Sequence, residues 1–358
     1  MKLEEFTLNN QPSITIACRR IASDVRPYII AEMSANHNGN IETAFKLIEA
    51  SKQAGADAVK LQTYSPDTIT LNCDSEDFRI RGGLWDGRTL YDLYQEAHMP
   101  WDWHAPLFAH ARKLGITIFS TPFDSTAVDL LEDLNAPAYK IASFEAVDLS
   151  LINYVASTGK PMIISTGMAD ADEIQEAIDA ARIGGCKELA ILHCVSGYPA
   201  PAADYNLRTI PDMMRRYSLV TGLSDHTVDN ATAIAAVALG ASIIEKHFTL
   251  DRKGGGPDDS FSLEPAELDA LCKGTKTAWQ ALGEVDYGRK SSELGSVKFR
   301  RSLYFVKDLK AGDVITADSV RSVRPGFGLV PKFLTLVLGK RVKTDCEANS
   351  PVTASVIE

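Results

Sequence analysis

Between residue 28 and about residue 283 the chain alternates short apolar runs with longer amphipathic stretches. The runs at 28–33, 57–62, 116–120, 138–142, 161–165, 188–194, 218–223 and 242–247 are rich in β-branched residues and nearly continuous in apolar character. That is the pattern of strands buried on both faces. Between them the periodicity becomes helical, as in Ile41–Ala54, Trp103–Leu114, Asp124–Leu134, Asp172–Ile183 and Asn230–Leu239, with glycine stops at 55, 115 and 240. Eight β-then-α units in about 250 residues predict an α/β fold, a closed (β/α)8 TIM barrel, in preference to an open doubly wound sheet. Segment 63–102 is too long for a simple connection and carries Trp85, Tyr91, Tyr94 and Trp101, with Trp103 just beyond. An aromatic insertion on the face where barrel enzymes work reads as a lid or wall for a substrate.

After Gly283 the pattern changes. A polar linker over 284–297 leads to a compact tail, 298–358, with short strands, a turn at Lys310-Ala311-Gly312-Asp313 and a helical stretch at Lys332–Leu338. The division predicts a barrel domain over 1–283, including an N-terminal extension, and a small domain of about 60 residues, whose core is marginal unless it docks on something. Composition agrees: 358 residues, 45% hydrophobic and 23% charged, suit one large globular domain with a smaller one. The 37 Lys and Arg against 47 Asp and Glu give a net charge of −10, so nothing global attracts nucleic acid or an anionic membrane. An anionic substrate needs a locally basic pocket instead. No apolar stretch is long enough to span a bilayer, and the opening Met1-Lys2-Leu3-Glu4-Glu5 lacks a signal-peptide pattern, so the expected location is the cytoplasm. Six cysteines without paired spacing indicate neither a disulfide framework nor a thiolate zinc site.

Ionisable groups close several of the apolar runs: Glu32, Lys60 with Gln62, Lys140, Ser224-Asp225-His226 and Glu245-Lys246-His247. In a barrel, catalytic groups sit at the ends of many successive strands. Two histidines ending consecutive runs suggest a metal site, with His193, beside Cys194, as a third candidate. Spacing alone leaves His226 and His247 equally readable as core residues. A lysine ending a buried run is costly unless paired, so Lys60 and Lys140 read as functional rather than solvated. Hydroxyls at Thr121, Ser143 and Ser165, with the Gln62 amide, could complete an anion cradle.

The motifs Ala31-Glu32-Met33-Ser34-Ala35-Asn36-His37, Val59-Lys60-Leu61-Gln62-Thr63, Ser120-Thr121-Pro122-Phe123, Tyr139-Lys140-Ile141-Ala142-Ser143-Phe144-Glu145, Ser165-Thr166-Gly167-Met168, Gly222-Leu223-Ser224-Asp225-His226 and Glu245-Lys246-His247-Phe248 together resemble those of the sialic acid synthase family. The tail, with Val323-Arg324-Pro325-Gly326, resembles that family's antifreeze-like (SAF) domain. The segments Gly82–Asp86, Leu90–Tyr94, Arg301–Tyr304 and Arg324–Leu329 resemble the pseudaminic acid synthase branch. The resemblance implies condensation of phosphoenolpyruvate with an N-acetylated amino sugar, here 2,4-diacetamido-2,4,6-trideoxy-altrose, to give a nine-carbon 2-keto acid and phosphate. It further implies a divalent cation, with Mn²⁺ favoured over Mg²⁺ or Co²⁺, on His226 and His247. It gives Lys60, Lys140, Gln62, Thr121, Ser143 and Ser165 to phosphoenolpyruvate, Glu32 to the attacking water, and Glu145, His193, Ser196, Tyr198 and Asp258 to the sugar. A domain-swapped homodimer, with Arg324 reaching the substrate of the neighbouring subunit, is also implied.

Ser196 stands where the N-acetylneuraminate branch has asparagine, which counts against sialic acid itself. N-acetylneuraminate or legionaminic acid synthesis is the alternative within the family. A metal-dependent aldolase or hydrolase, and a sugar-binding protein without catalysis, are the alternatives outside it. The tail's Lys307, Lys310, Arg321, Arg324, Lys332, Lys340 and Arg341 suit a flat ice-binding face poorly.

Overall fold

A computed structural model describes residues 11–358; the Met1–Glu5 opening and the start of the N-terminal extension lie outside the described residues. The first ordered element is a hairpin, β1 (Ile14–Ile16) with β2 (Arg19–Ile21), pairing Ile14 with Ile21 and Ile16 with Arg19. Its two turn residues, Ala17 and Cys18, have φ of 47° and 67°. Two left-handed residues in a row match the twist of a tight hairpin, but alanine and cysteine give no turn signal, so the pattern of runs does not reveal it.

The eight anticipated runs form β3 (Tyr28–Glu32), β4 (Ala58–Thr63), β5 (Thr117–Pro122), β6 (Tyr139–Ile141), β7 (Met162–Ser165), β8 (Leu189–Cys194), β9 (Val220–Asp225) and β10 (Ile243–His247). They pair in parallel in chain order, and β10 closes on β3 to complete the barrel. The helical stretches appear as Ile41–Gln53, Trp101–Leu114, Ser125–Asp133, Ala171–Ile183 and Ala231–Ala238, and further helices at Leu149–Ser157, Thr209–Tyr217 and Pro265–Leu282 supply the remaining connections. Starts are fixed by side-chain caps: Asp124 accepts from the backbone N–H of Thr126 and Ala127, and Asp170 forms a capping box with Glu173.

Strand alternation divides the barrel into two cores. Ile29, Val59, Ile118, Ile141, Ile164, Ile191, Leu223 and Ile244 pack outward with the helices. Ile30, Ala58, Phe119, Ala138, Ile163, Leu192, Val220 and Ile243 form an inner cluster with Ile14, Ile16 and Ile21, so the hairpin plugs the N-terminal end of the barrel. Gly222 belongs to this interior, where a Cβ would lie 2.4 Å from the carbonyl oxygen of Ile243. The bottom is therefore sealed by apolar packing, and only the opposite mouth is free for chemistry.

The chain divides into two compact units after Gly283. The second, Glu284–Glu358, contains β11 (Ser302–Phe305) antiparallel to β12 (Val320–Val323) around a core that includes Leu303, Phe305, Ile315, Val320, Val342 and Val352. The turn closes with the Asp313 N–H on the Lys310 carbonyl at 2.9 Å, and the anticipated helix is reduced to Leu334–Val337 after a turn at Pro331–Phe333. Among the described residues, no helix is long and apolar enough to cross a membrane.

Candidate active site

Inward positions recur every second residue along a strand. Continuing from the inner cluster toward the C-terminal mouth, Ile30 leads to Glu32, Ala58 to Lys60 and Gln62, Phe119 to Thr121, Ala138 to Lys140, and Ile163 to Ser165. Val220 leads likewise to Ser224 and the strand-end His226, and Ile243 to Glu245 and His247. One alternation thus delivers a polar layer above an apolar plug.

The layer is a charge cluster. Lys60 Nζ lies 2.7 Å from Glu32 Oε2 and 3.6 Å from Glu245 Oε1, and Lys140 Nζ is 3.6 Å from the same Glu245 oxygen. Lys60 also donates to Thr121 Oγ1 at 3.1 Å. Glu32 accepts from the Ser34 N–H at 2.9 Å and from Gln62 Nε2 at 3.3 Å, while Ser224 Oγ donates to Glu245 at 3.0 Å. Two ammonium groups and two carboxylates this deeply buried are tolerable only because each faces the other.

The two carboxylates part company in acidity. Burial dominates at Glu32 and, with the neighbouring charge of Glu245, outweighs Lys60 to push it up to about 7. Burial also acts on Glu245, but Lys140, Lys60 and the Ser224 hydroxyl together hold it below the usual carboxylate range. Burial lowers Lys140, whereas at Lys60 the charges of Glu245 and Glu32 overcome burial and raise it. Glu245 therefore stays charged and Glu32 is poised to exchange a proton near neutrality, the state wanted of a general base.

Above this floor opens a cavity of about 470 Å³ walled by Trp85, Tyr64, Tyr94, Phe123 and Tyr198, into which Gln62, Glu145, Ser196, His247 and Asp258 project. The 63–102 insertion supplies much of the wall. Its Trp85 Nε1 donates to the Pro257 carbonyl at 3.1 Å, and its ring lies 5.9 Å from that of Tyr198. Burial lifts Glu145 to about 7 and Asp258 to about 6, the latter despite the Ser34 hydroxyl donating to it at 2.5 Å. Ser165 Oγ and Glu145 Oε2 are buried without a hydrogen-bond partner and so are available to a ligand. Gly167 permits the crowding here: a Cβ would lie 2.3 Å from Ser196 Oγ and 2.8 Å from Ser143 Oγ.

His226 and His247 face each other with ring centroids 5.4 Å apart. Burial drives both below their ordinary range, His226 to about 4, so both are neutral imidazoles, the form that ligates metals. His226 Nδ1 donates to the Val195 carbonyl at 2.8 Å, which leaves a bare lone pair on Nε2. His247 Nδ1 is buried without a hydrogen-bond partner, with Asp258 Oδ2 3.8 Å away. Among the described residues no group of three or more His, Cys, Asp or Glu side chains is arranged for a metal; the two neutral imidazoles alone could hold a divalent cation only with solvent and substrate oxygens filling its other positions.

Two anticipated residues stand apart. His193 has the outward parity of Ile191, and its Nε2 donates to the Tyr205 carbonyl. Arg324 belongs to the second unit, exposed just after β12. Ser143 donates to Cys194 Sγ at 3.3 Å. Glu245 and Ser224 were not anticipated as site residues. The signal for both was present, since each lies two residues before a candidate histidine along the same run, Glu245 and His247 on β10 and Ser224 near the end of β9 just before His226.

A closed barrel with buried lysines and carboxylates under a walled mouth defines an enzyme of the (β/α)8 class acting on an anionic substrate. Residues 47–287 match the NeuB family and residues 300–358 match a SAF domain. Pseudaminic acid synthase of Helicobacter pylori is 44% identical over 333 residues, 93% of this chain and 98% of that protein; its counterpart from Campylobacter jejuni is 43% identical over 325 residues, 91% of this chain and 95% of that protein. The crystal structure of N-acetylneuraminic acid synthetase from Leptospira borgpetersenii superposes with a TM-score of 0.72 at 30% identity, covering 80% of this chain and 95% of that one. The chain belongs to the NeuB family and carries a SAF domain at its C-terminus.

Proposed function

We propose that the protein condenses phosphoenolpyruvate with 2,4-diacetamido-2,4,6-trideoxy-altrose, giving a nine-carbon 2-keto acid and inorganic phosphate. The observation that supports this is a pair of buried lysines, Lys60 and Lys140, at the same mouth as an aromatic cavity of about 470 Å³, the arrangement that an anion site beneath a sugar site would need. The higher identity to two pseudaminic acid synthases than to the neuraminic acid synthetase supports the particular sugar.

Lys60 and Lys140 neutralise the phosphate and carboxylate of phosphoenolpyruvate, with Thr121, Ser143, Ser165 and Gln62 supplying further polar groups. The enol C3 attacks the sugar aldehyde, water adds at C2, and Glu32 orients that water and takes its proton. Phosphate then leaves with the bridging oxygen. Glu145, Asp258, Ser196 and Tyr198 serve the sugar side, while His193, turned outward to the Tyr205 carbonyl, takes no part. When bound by His226 and His247, a divalent cation such as Mn²⁺ would polarise the aldehyde oxygen and stabilise the charge developing there. The protein works in the cytoplasm as a homodimer in which Arg324 of the second unit serves the neighbouring subunit's sugar.

Phosphoenolpyruvate labelled with ¹⁸O at the bridging position, assayed against a panel of N-acetylated aldoses, tests this. The label is expected in the released phosphate, with highest kcat/KM for the 6-deoxy diacetamido sugar. Label absent from phosphate overturns the chemistry; better turnover of N-acetylmannosamine overturns the sugar and leaves the chemistry standing.

A further inference from the structure

The site uses Glu245 and His247 and leaves Lys246, between them, without a task. Its side chain is only 1% exposed and has the outward parity of Ile244. Nζ lies 2.9 Å from Asp225 Oδ2 and donates to the Thr227 carbonyl at 2.7 Å, Thr227 Oγ1 at 3.2 Å and the Asp229 carbonyl at 2.8 Å. Asp225 Oδ1 in turn accepts from the Thr227 N–H at 2.9 Å. The segment 225–229 is thus folded around one ammonium group, with His226 held between two pinned residues. The remaining polar atoms of His226 are also committed. Its N–H donates to Tyr205 Oη at 2.6 Å, its carbonyl accepts from the Ala200 N–H at 3.1 Å, and Nδ1 donates to Val195. Only Nε2 is left. Lys246 and Asp225 are register partners across β9 and β10, and His247 is the next residue. The ammonium therefore ties the loop that carries His226 to the strand that carries His247.

We propose that Lys246 is a positioning residue: gripped by segment 225–229, it sets the spacing of the two imidazoles and hence the affinity of the protein for a divalent cation that it does not touch. The inference rests on the reading that His226 and His247 hold such a cation. A buried ion pair serving stability alone would lower the melting temperature but leave the cation affinity of the folded protein unchanged. Groups that orient metal ligands, by contrast, change metal affinity by about 10–100-fold.

The experiment is a titration of metal-stripped, full-length protein with MnCl₂ alone, followed by calorimetry and electron paramagnetic resonance, with folding checked by circular dichroism. Lys246→Met is compared with wild type, with His226→Gln as the binding control. The neutral double variant Lys246→Met/Asp225→Asn leaves no uncompensated charge and guards against a misfolded single variant. Folded variants are expected to bind Mn²⁺ about tenfold or more weakly than wild type. Folded variants with a Kd within about twofold of wild type overturn the proposal. Failure of both variants to fold assigns the pair to stability and overturns it as well. A wild-type protein that does not bind Mn²⁺ removes the cation reading itself, a separate outcome.

Discussion

Glu32 and Glu245 share one lysine, yet only Glu32 is lifted to about 7, because burial there is opposed by fewer favourable charges. As the base for the attacking water it must be ionised, so the rate should climb as pH rises through about 7. Replacing Glu32 by Gln should lower kcat by about 100- to 1000-fold and abolish that climb; a Gln variant with the wild-type profile would remove Glu32 from the mechanism. The same carboxyl has a sign for stability. Between the ordinary value of 4.5 and about 7 the folded protein keeps a proton that the unfolded chain releases, so Glu32 costs stability as pH rises through that window. The Gln variant should therefore lose less melting temperature than wild type between about pH 5 and 8, the difference in stability growing by at most about 1.4 kcal/mol for each pH step of one within the window. At the imidazole pair, stripping with chelator should abolish turnover and Mn²⁺ should restore it. His226→Gln should cost about a thousandfold or more in rate, and full activity in that variant would disprove its ligand role.

The insertion between β4 and the helix at Trp101–Leu114 shows how an element acquires a role through its contacts. Trp85 hydrogen-bonds Pro257, next to Asp258, and packs near Tyr198, whose ring is 4.4 Å from that of His226. The wall therefore meets the Asp258, Tyr198 and His226 side of the mouth, the side proposed for the sugar, and the cavity it helps to line does not include Lys60 or Lys140. Trp85→Ala should raise KM for the amino sugar about tenfold or more, consistent with loss of a large aromatic contact, while KM for phosphoenolpyruvate stays within about twofold. Equal increases in both would mean that the insertion organises the entire mouth.

At the scale of the molecule, the two compact units each have a hydrophobic core, but the second is small enough to gain by docking. The exposed Arg324 offers a planar, bidentate donor suited to an acetamido or carboxylate oxygen. Glu32→Ala and Arg324→Ala proteins should each be nearly inactive. Subunit exchange between them should regenerate one intact site per mixed dimer, approaching about half of wild-type activity per mixed dimer if the sites are independent. Mixed dimers verified by mass that stay inactive would place Arg324 in its own subunit's site or outside the site.

The apolar runs determined the strand positions, the eightfold alternation and the mouth at which the chemistry had to lie, because buried parallel strands must be apolar and their C-terminal ends are where polar groups can emerge. The candidate site residues were legible for the same reason: Glu32, Lys60, Lys140, His226 and His247 each close a run. Which residue of each pair faces inward was not legible. A strand apolar on both faces has no phase in its sequence, so His193 looked equivalent to His226 until the inner cluster set the alternation. The hairpin plug was hidden because its turn is made by Ala17 and Cys18. The pairing of Glu245 with both lysines, the grip of segment 225–229 on Lys246 and the raised pKa of Glu32 arise between strands, in a low-dielectric interior that forms only when the barrel closes.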